Sequence, residues 1–242
     1  MLKDRKKLHI HCNECLYQKL CLPRKLTAPE IDELNSFITQ VAVFEADEHV
    51  YLQNQKMHNL YAVYSGYCEE YWVDENGNEC IENFFLPGDI LGLEHIAKRK
   101  YLFSAIPLTK VELCVIPIDP LLAMMQTSHN LLERFISISS YKLLNNTYSK
   151  LTTNAKSRVA NFLLNMLLRY EERNNNSHLI CLPMSQIAIS NYLGMANETV
   201  SRVLHEFARL AIIRIESKSI FISDVDKLKE IASPIESFGQ TD

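Results

Sequence analysis

Between about Val41 and Ile118 the apolar residues come in short runs separated by turn residues. Tyr71-Trp72-Val73 and Cys80-Ile81-Glu82-Asn83-Phe84 flank a polar stretch containing Asn76-Gly77. Asn-Gly predicts a hairpin with a tight primed turn, which needs positive backbone angles at both central residues. Ser65-Gly66 and Pro87-Gly88-Asp89 mark further turns. Several short strands at this spacing predict a small antiparallel barrel or jelly roll. A short helix over Pro29 to Ile38 precedes it.

The period then changes. From Leu121 to about Leu151 the chain reads as helix, with no Gly and no Pro after Pro120. That length suits a connecting or dimer-forming helix. By helical spacing Ile136, Ser140, Leu143 and Thr147 share its facing side. A second helical pattern runs from Asn161 to Tyr170, and Glu171 to His178, with Asn174-Asn175-Asn176, forms a polar loop.

Residues 184–207 read MSQIAISNYLGMANETVSRVLHEF. Ile187, Ile189, Tyr192 and Leu193 supply the apolar positions of a first helix, with Ser190 small enough for close contact and Gly194 suited to a turn. A second helix starts near Ala196 and turns Val200, Val203, Leu204 and Phe207 inward. Its other face offers Asn197, Glu198, Thr199, Ser201 and Arg202, in the turns where a recognition helix enters the major groove. Arg can donate two hydrogen bonds to guanine, and Glu can accept from cytosine N4. The plain alternative is a helical pair whose polar side faces water. Ile212 to Ser223 alternates as the wing of a winged helix would.

Charge sharpens this picture. Residues 1–25 carry seven basic and two acidic side chains, a net of +5, and residues 26–141 carry six and seventeen, a net of −11. Residues 142–218 return to +5, with ten and five, and the remainder holds −3. The basic 142–218 segment can face phosphates although the whole chain is at −4, because association follows the local field. No apolar run approaches the roughly 18–20 residues that cross a bilayer, and no signal core follows the basic N-terminus. A cytoplasmic protein with no membrane partner is expected.

Of seven cysteines, Cys12, Cys15 and Cys21 form C-x2-C-x5-C. Thiolates this close converge on one metal centre, and a fourth ligand must come from elsewhere. Candidates are Cys68, Cys80, Cys114 and Cys181, or His9 or His11 for zinc. A lone cysteine in an apolar strand is usually a small buried hydrophobe, which fits Cys68, Cys80 and Cys181.

With these residues in place, the chain resembles the CRP/FNR regulator superfamily over roughly Cys12 to Leu228, and within it the FNR-type oxygen-responsive regulators. The resemblance rests on the three-cysteine arm, on Cys114-Val115-Ile116-Pro117 as the family's C-x-I-P context, and on Glu198-Thr199-Val200-Ser201-Arg202 as its E-x-x-S-R. It implies that Cys12, Cys15, Cys21 and Cys114 hold a 4Fe–4S cluster, with zinc as the alternative. It also implies a TTGAT-like inverted repeat of double-stranded DNA as target, RNA polymerase as partner and a homodimer. The fold it implies is α+β: an N-terminal antiparallel jelly-roll barrel of the cyclic-nucleotide-binding kind, a long dimerisation helix and a C-terminal winged helix-turn-helix. The expected plan is a cysteine-rich arm over 1–25, a sensor barrel over 26–120, a dimerisation helix over 121–151, the DNA-binding domain over 152–230 and a tail over 231–242.

Cyclic nucleotide itself fits poorly. Members that bind it use an Arg-Ser pair at a position occupied here by Phe103-Ser104, and a buried phosphate without its arginine is strongly unfavourable. A same-fold regulator gated by zinc or a small molecule is the second reading. An iron–sulfur enzyme or electron carrier has no nucleotide fingerprint or catalytic constellation behind it and leaves the helix-turn-helix unexplained.

Overall fold

The strand pattern after residue 40 resolves into two antiparallel sheets around one core. The computed structural model describes residues 5–6, 11–151, 154–173 and 178–232, with backbone alone for 5–6 and 145–151. His9, Asn174-Asn175-Asn176 and the tail beyond 232 lie outside these residues, as does the side chain of Thr147. The chain divides into two compact units, Met1–Tyr141 and Lys142–Asp242. No helix among the described residues is long and apolar enough to cross a membrane.

In the first unit the strands are β1 (Arg5–Lys6), β2 (Val41–Phe44), β3 (Asn59–Ser65), β4 (Cys68–Val73), β5 (Glu79–Phe85), β6 (Ile90–Leu91), β7 (Ser104–Pro107) and β8 (Val111–Pro117). One sheet has the order β1-β2-β8-β3-β6 and the other β5-β4-β7. Leu60, Leu113 and Val115 from the first sheet and Cys68, Phe85 and Ala105 from the second share the buried core. Each such aliphatic side chain contributes about 1.5–3 kcal/mol by leaving water.

The Asn-Gly turn differs from the expected two-residue form. Val73 pairs with Glu79, so five residues make the loop. Gly77 alone takes positive φ (+83°), and its N–H donates to the Asp74 carbonyl. The Asp74 carboxylate accepts from the backbone N–H groups of Asn76 and Asn78 at 2.8 Å each. That local bonding lets Asn76 keep an ordinary backbone angle.

Helix α1 (Ala28–Phe37) starts on a capping box in which Thr27 N–H donates to Glu30 Oε2 at 2.7 Å. The segment expected as one helix over 121–151 is two: α2 (Ile118–Thr127) and α3 (His129–Leu151). Ser128 makes the break. Its Oγ accepts from Leu131 N–H at 3.1 Å and donates to Glu30 Oε1 at 2.5 Å, while Asn130 Nδ2 reaches Glu30 Oε2 at 3.0 Å. A serine with both roles filled is worth more as a cap than within a helix.

The second unit holds α4 (Ala155–Glu171), β9 (Leu179–Cys181), α5 (Gln186–Tyr192), α6 (Asn197–Arg209), β10 (Ile213–Glu216), β11 (Ser219–Ile222) and α7 (Val225–Ile231). Its sheet has the order β10-β11-β9, so the expected wing hairpin gains a third strand. Val200, Val203, Leu204 and Phe207 are all buried, as their spacing predicts. Ile187 is the exception: placed inward by the sequence reading, it is 68% exposed. A helix of seven residues buries little more than one turn's stripe, which Ile189 and Ser190 occupy.

Candidate functional site

Three thiols sit in a chain of tight turns and the fourth in a sheet. The arm turns through backbone bonds from Glu14 to His11, Gln18 to Cys15 and Cys21 to Tyr17. Leu22 anchors it in the barrel core. Cys12 N–H donates to Asn35 Oδ1 on α1 at 2.9 Å. Buried Arg134 of α3 donates from Nε to the Cys21 carbonyl at 2.9 Å and from Nη2 to the Leu20 carbonyl. Gly88 lets the arm come close: a Cβ there would meet Leu20 Cβ at 3.1 Å and Tyr17 Cβ at 3.2 Å, and its φ of +94° suits no other residue.

Cys114 occupies mid-β8, paired with Val41 on one side and Ala62 on the other. It alternates with buried Leu113 and Val115, so its thiol faces the opposite side from the core, toward the arm. Cys12, Cys15, Cys21 and Cys114 thereby line one cavity, with Leu22, Leu34, Ile38, Ala62 and Ile116 among its apolar walls. Of the other candidates, Cys68 is buried in the barrel, Cys80 lies on β5 and Cys181 on β9 in the other unit; His11 is exposed.

Burial dominates the electrostatics of this pocket. Burial, helped by the neighbouring Cys15, pushes Cys12 up to about 11. Burial pushes Cys114 up to about 12, with Cys12 and Cys15 adding to it, and raises Cys21 further still. A bound cation would reverse this, since the thiolate is the ligand and loading expels the protons. The residues fit such a group: four soft donors on an apolar wall. Among the described residues, the one trio of His, Cys, Asp or Glu ligand atoms mutually within 4.8 Å is Glu70, Glu94 and His95, not a set of the cysteines.

That trio is a hydrogen-bonded plug of the barrel. His95 Nδ1 accepts from Leu102 N–H, which leaves its Nε2–H to donate to Glu70 Oε1 at 2.7 Å. Tyr51 Oη donates to the same oxygen at 2.7 Å, and Asn83 Nδ2 reaches Glu70 and Glu94. The sequence reading missed this network. Phe103 stacks edge-on against His95, and Ser104 Oγ accepts from Gln53 N–H at 2.9 Å, so the Phe103-Ser104 pair is engaged within the barrel.

In the second unit Arg158 donates to the Leu193 carbonyl and holds the turn before α6. Glu198 and Arg202 are exposed on α6, and Asn197, Thr199 and Ser201 are half-buried. His205 and Arg209 extend the exposed face. Gln186, unremarked in the sequence, donates from Nε2 to Asn197 Oδ1 at 2.9 Å. On α3, Ile136 and Leu143 are 55% and 69% exposed; Ser140 is exposed too. Leu132 and Leu144 add to this apolar strip.

Comparison with known proteins bears on both units. Residues 157–231 match the family described as Crp-like helix-turn-helix domain, and residues 41–128 match the cyclic nucleotide-binding domain. The chain is 30% identical over 225 residues to the anaerobic regulatory protein of Haemophilus influenzae, covering 92% of this chain and 88% of that one. It is 30% identical over 225 residues to the transcriptional activator protein anr of Pseudomonas aeruginosa, covering 92% of each. The structure of FixK2 from Bradyrhizobium japonicum superposes with a TM-score of 0.73 at 24% identity, over 80% of this chain and 96% of that one.

Proposed function

Because the chain belongs to the CRP/FNR family of transcription regulators, we propose that it is an FNR-type regulator of the cytoplasm that senses oxygen, or nitric oxide or iron supply, through a 4Fe–4S cluster. Cys12, Cys15, Cys21 and Cys114 hold that cluster. The protein binds TTGAT-like inverted repeats as a homodimer and works with RNA polymerase. The observation that carries the reading is the meeting of the three arm thiols with Cys114 around one apolar cavity.

A further fact supports it. Relatives aligned over nine-tenths of the chain carry the names anaerobic regulatory protein and transcriptional activator. When bound, the cluster supplies an oxygen-labile centre. The chain's own residues do the rest. Arg134 and Asn35 hold the arm against α3 and α1. Ile136, Ser140, Leu143 and Thr147 of α3 form the dimer seam. Glu198, Ser201 and Arg202, with Asn197 and Thr199, face the bases and phosphates, where α6 enters the major groove.

The test is an absorbance spectrum with iron and sulfide counts on anaerobically prepared protein, before and after air, with DNA binding followed in parallel. Four iron and four sulfide per chain, lost in air together with DNA binding, is the expected result. Stoichiometric zinc with no visible band overturns the cluster.

A further inference from the structure

Helix α1 reaches from the cysteine cavity to the start of α3, all within the first unit. Leu34, and Ile38 at its C-terminal cap, line the cavity beside the four cysteines. Asn35 accepts the Cys12 N–H. Glu30 stands in the first turn at the other end and divides its carboxylate between two elements. Its Oε2 accepts from Thr27 N–H at 2.7 Å and Thr27 Oγ–H at 2.8 Å, closing the capping box of α1, and from Asn130 Nδ2 at 3.0 Å. Its Oε1 accepts from Ser128 Oγ–H at 2.5 Å. These bonds, that from Ser128 foremost, hold the carboxyl well below the usual carboxylate range.

With its hydrogen given to Glu30, Ser128 Oγ turns a lone pair to Leu131 N–H at 3.1 Å, and Leu131 is buried in the barrel core. A carboxylate accepts at both oxygens, so it can cap α1 and grip α3 together. A glutamine can do only the first. Its amide oxygen completes a capping box, but its NH2 then faces the Ser128 hydroxyl and the Asn130 NH2, where a second acceptor is needed. The arm is tied to α3 independently, through Arg134 and the carbonyls of Leu20 and Cys21. Arm, α1 and α3 thus form a closed triangle, and the Glu30 clamp joins its α1 and α3 sides.

We propose that Glu30 is a positioning residue that couples occupancy of the four-cysteine site to the seating of α3. Helix α1, as one wall of the cavity, follows the arm, and Glu30 makes the start of α3 follow α1. This rests on the reading of the four cysteines as the cluster site and of α3 as the dimer helix. Glu30 lines neither the cavity nor the exposed face of α6. It acts on the difference between loaded and empty protein, which is what coupling between two sites consists of.

The test compares the full native chain, Glu30→Gln and Ser128→Ala, each prepared without oxygen in cluster-loaded and cluster-free form. Iron and sulfide are counted. Fluorescence anisotropy gives the affinity of each form for a duplex bearing TTGAT-like half-sites as an inverted repeat. The native chain is expected to bind more tightly when loaded, by about 5- to 150-fold. Glu30→Gln keeps the native iron and sulfide content and the α1 cap, while its loaded-to-empty ratio falls to within about twofold of one. Ser128→Ala cuts the same clamp from the α3 side and lowers the ratio likewise, and the double variant goes no further than either. A native ratio in either variant, even with weaker binding in both forms, makes the clamp a purely structural contact and overturns the proposal. Loss of iron from Glu30→Gln places the residue in cluster retention and overturns it too. A native chain that holds no iron, or that binds the duplex equally in both forms, overturns the sensor reading and the proposal with it, an outcome told apart because it shows in the native chain.

Discussion

The Nε hydrogen of Arg134 is donated to the backbone carbonyl of Cys21 at 2.9 Å, across 113 positions of sequence. Through this bond and its companion to Leu20, a buried cation on the long helix fixes the last turn of the cysteine arm. Arg134→Ala leaves two carbonyls without their donor, at about 1–3 kcal/mol for each that stays buried. In cluster-free protein the variant should alkylate at Cys12 and Cys21 at least about tenfold faster, with Cys68 unchanged. Mass spectrometry after timed iodoacetamide exposure reads this out. Equal rates in variant and native protein mean that the clamp holds nothing.

Cys114 and Cys68 are both barrel-strand cysteines, yet only Cys114 lines the cavity. Cys114→Ala is expected to lose the iron and sulfide, while Cys68→Ala, Cys80→Ala and Cys181→Ala retain them. Metal and sulfide analysis of the four variants, purified without oxygen, decides it. Full loading of Cys114→Ala would point to a different fourth ligand.

Arg202 is exposed on α6 and aimed away from Val203 and Leu204, which pack inward. Arg202→Ala should weaken binding to the preferred site by about 1–3 kcal/mol and flatten discrimination at one guanine. Fluorescence anisotropy on matched and single-base-changed duplexes measures both. A uniform loss across all sequences would reduce Arg202 to a phosphate contact.

Glu69 lies on β4 with its Oε2 buried and without a hydrogen-bond partner. Burial, with Glu79 adding to it, pushes its carboxyl from the ordinary 4.5 up to about 7. The unfolded chain therefore ionises this group first as pH rises. The folded state loses stability from about pH 4.5 up through 7, and the loss is complete above that. Discounted for its partial exposure, the effect is about 1–2 kcal/mol. Glu69→Gln should exceed the native protein in urea stability at pH 8 and converge with it near the acid end of that window. A constant difference at all pH values would locate the effect elsewhere.

The exposed strip of α3 is apolar or neutral at Ile136, Ser140 and Leu143, and the chain carries no Asp or Glu from Arg134 to Tyr170. Two facing carboxylates at 4 Å would repel by about 4 kcal/mol at an effective dielectric of 20. That term is missing, so cluster-free protein is expected to stay largely dimeric at micromolar concentration. Sedimentation velocity of cluster-free and loaded protein in one oxygen-free buffer checks this. A clean monomer that dimerises on loading contradicts it.

What the sequence made legible is what short-range chemistry encodes. The C-x2-C-x5-C arm, the Gly194 turn and the apolar spacing of α6 each announce themselves within a dozen residues. Cys114 was reachable only through its C-x-I-P context, because its approach to the arm depends on which face of β8 the barrel leaves outward. The break at Ser128 depends on Glu30, 98 positions away. The place of Glu70 depends on the fold, which sets it against His95 and Tyr51 from distant parts of the chain. The bond from Gln186 to Asn197 joins two helices and is not encoded by either helix alone.

The four thiols differ in how their positions are kept. Cys114 is stitched into the middle of a five-stranded ladder, and Cys12, Cys15 and Cys21 ride on turns tied down at Leu22, Asn35 and Arg134. Were those ties to loosen, Cys114 would stay in place and only a short arm would have to find its way back, at an entropy that grows slowly with length.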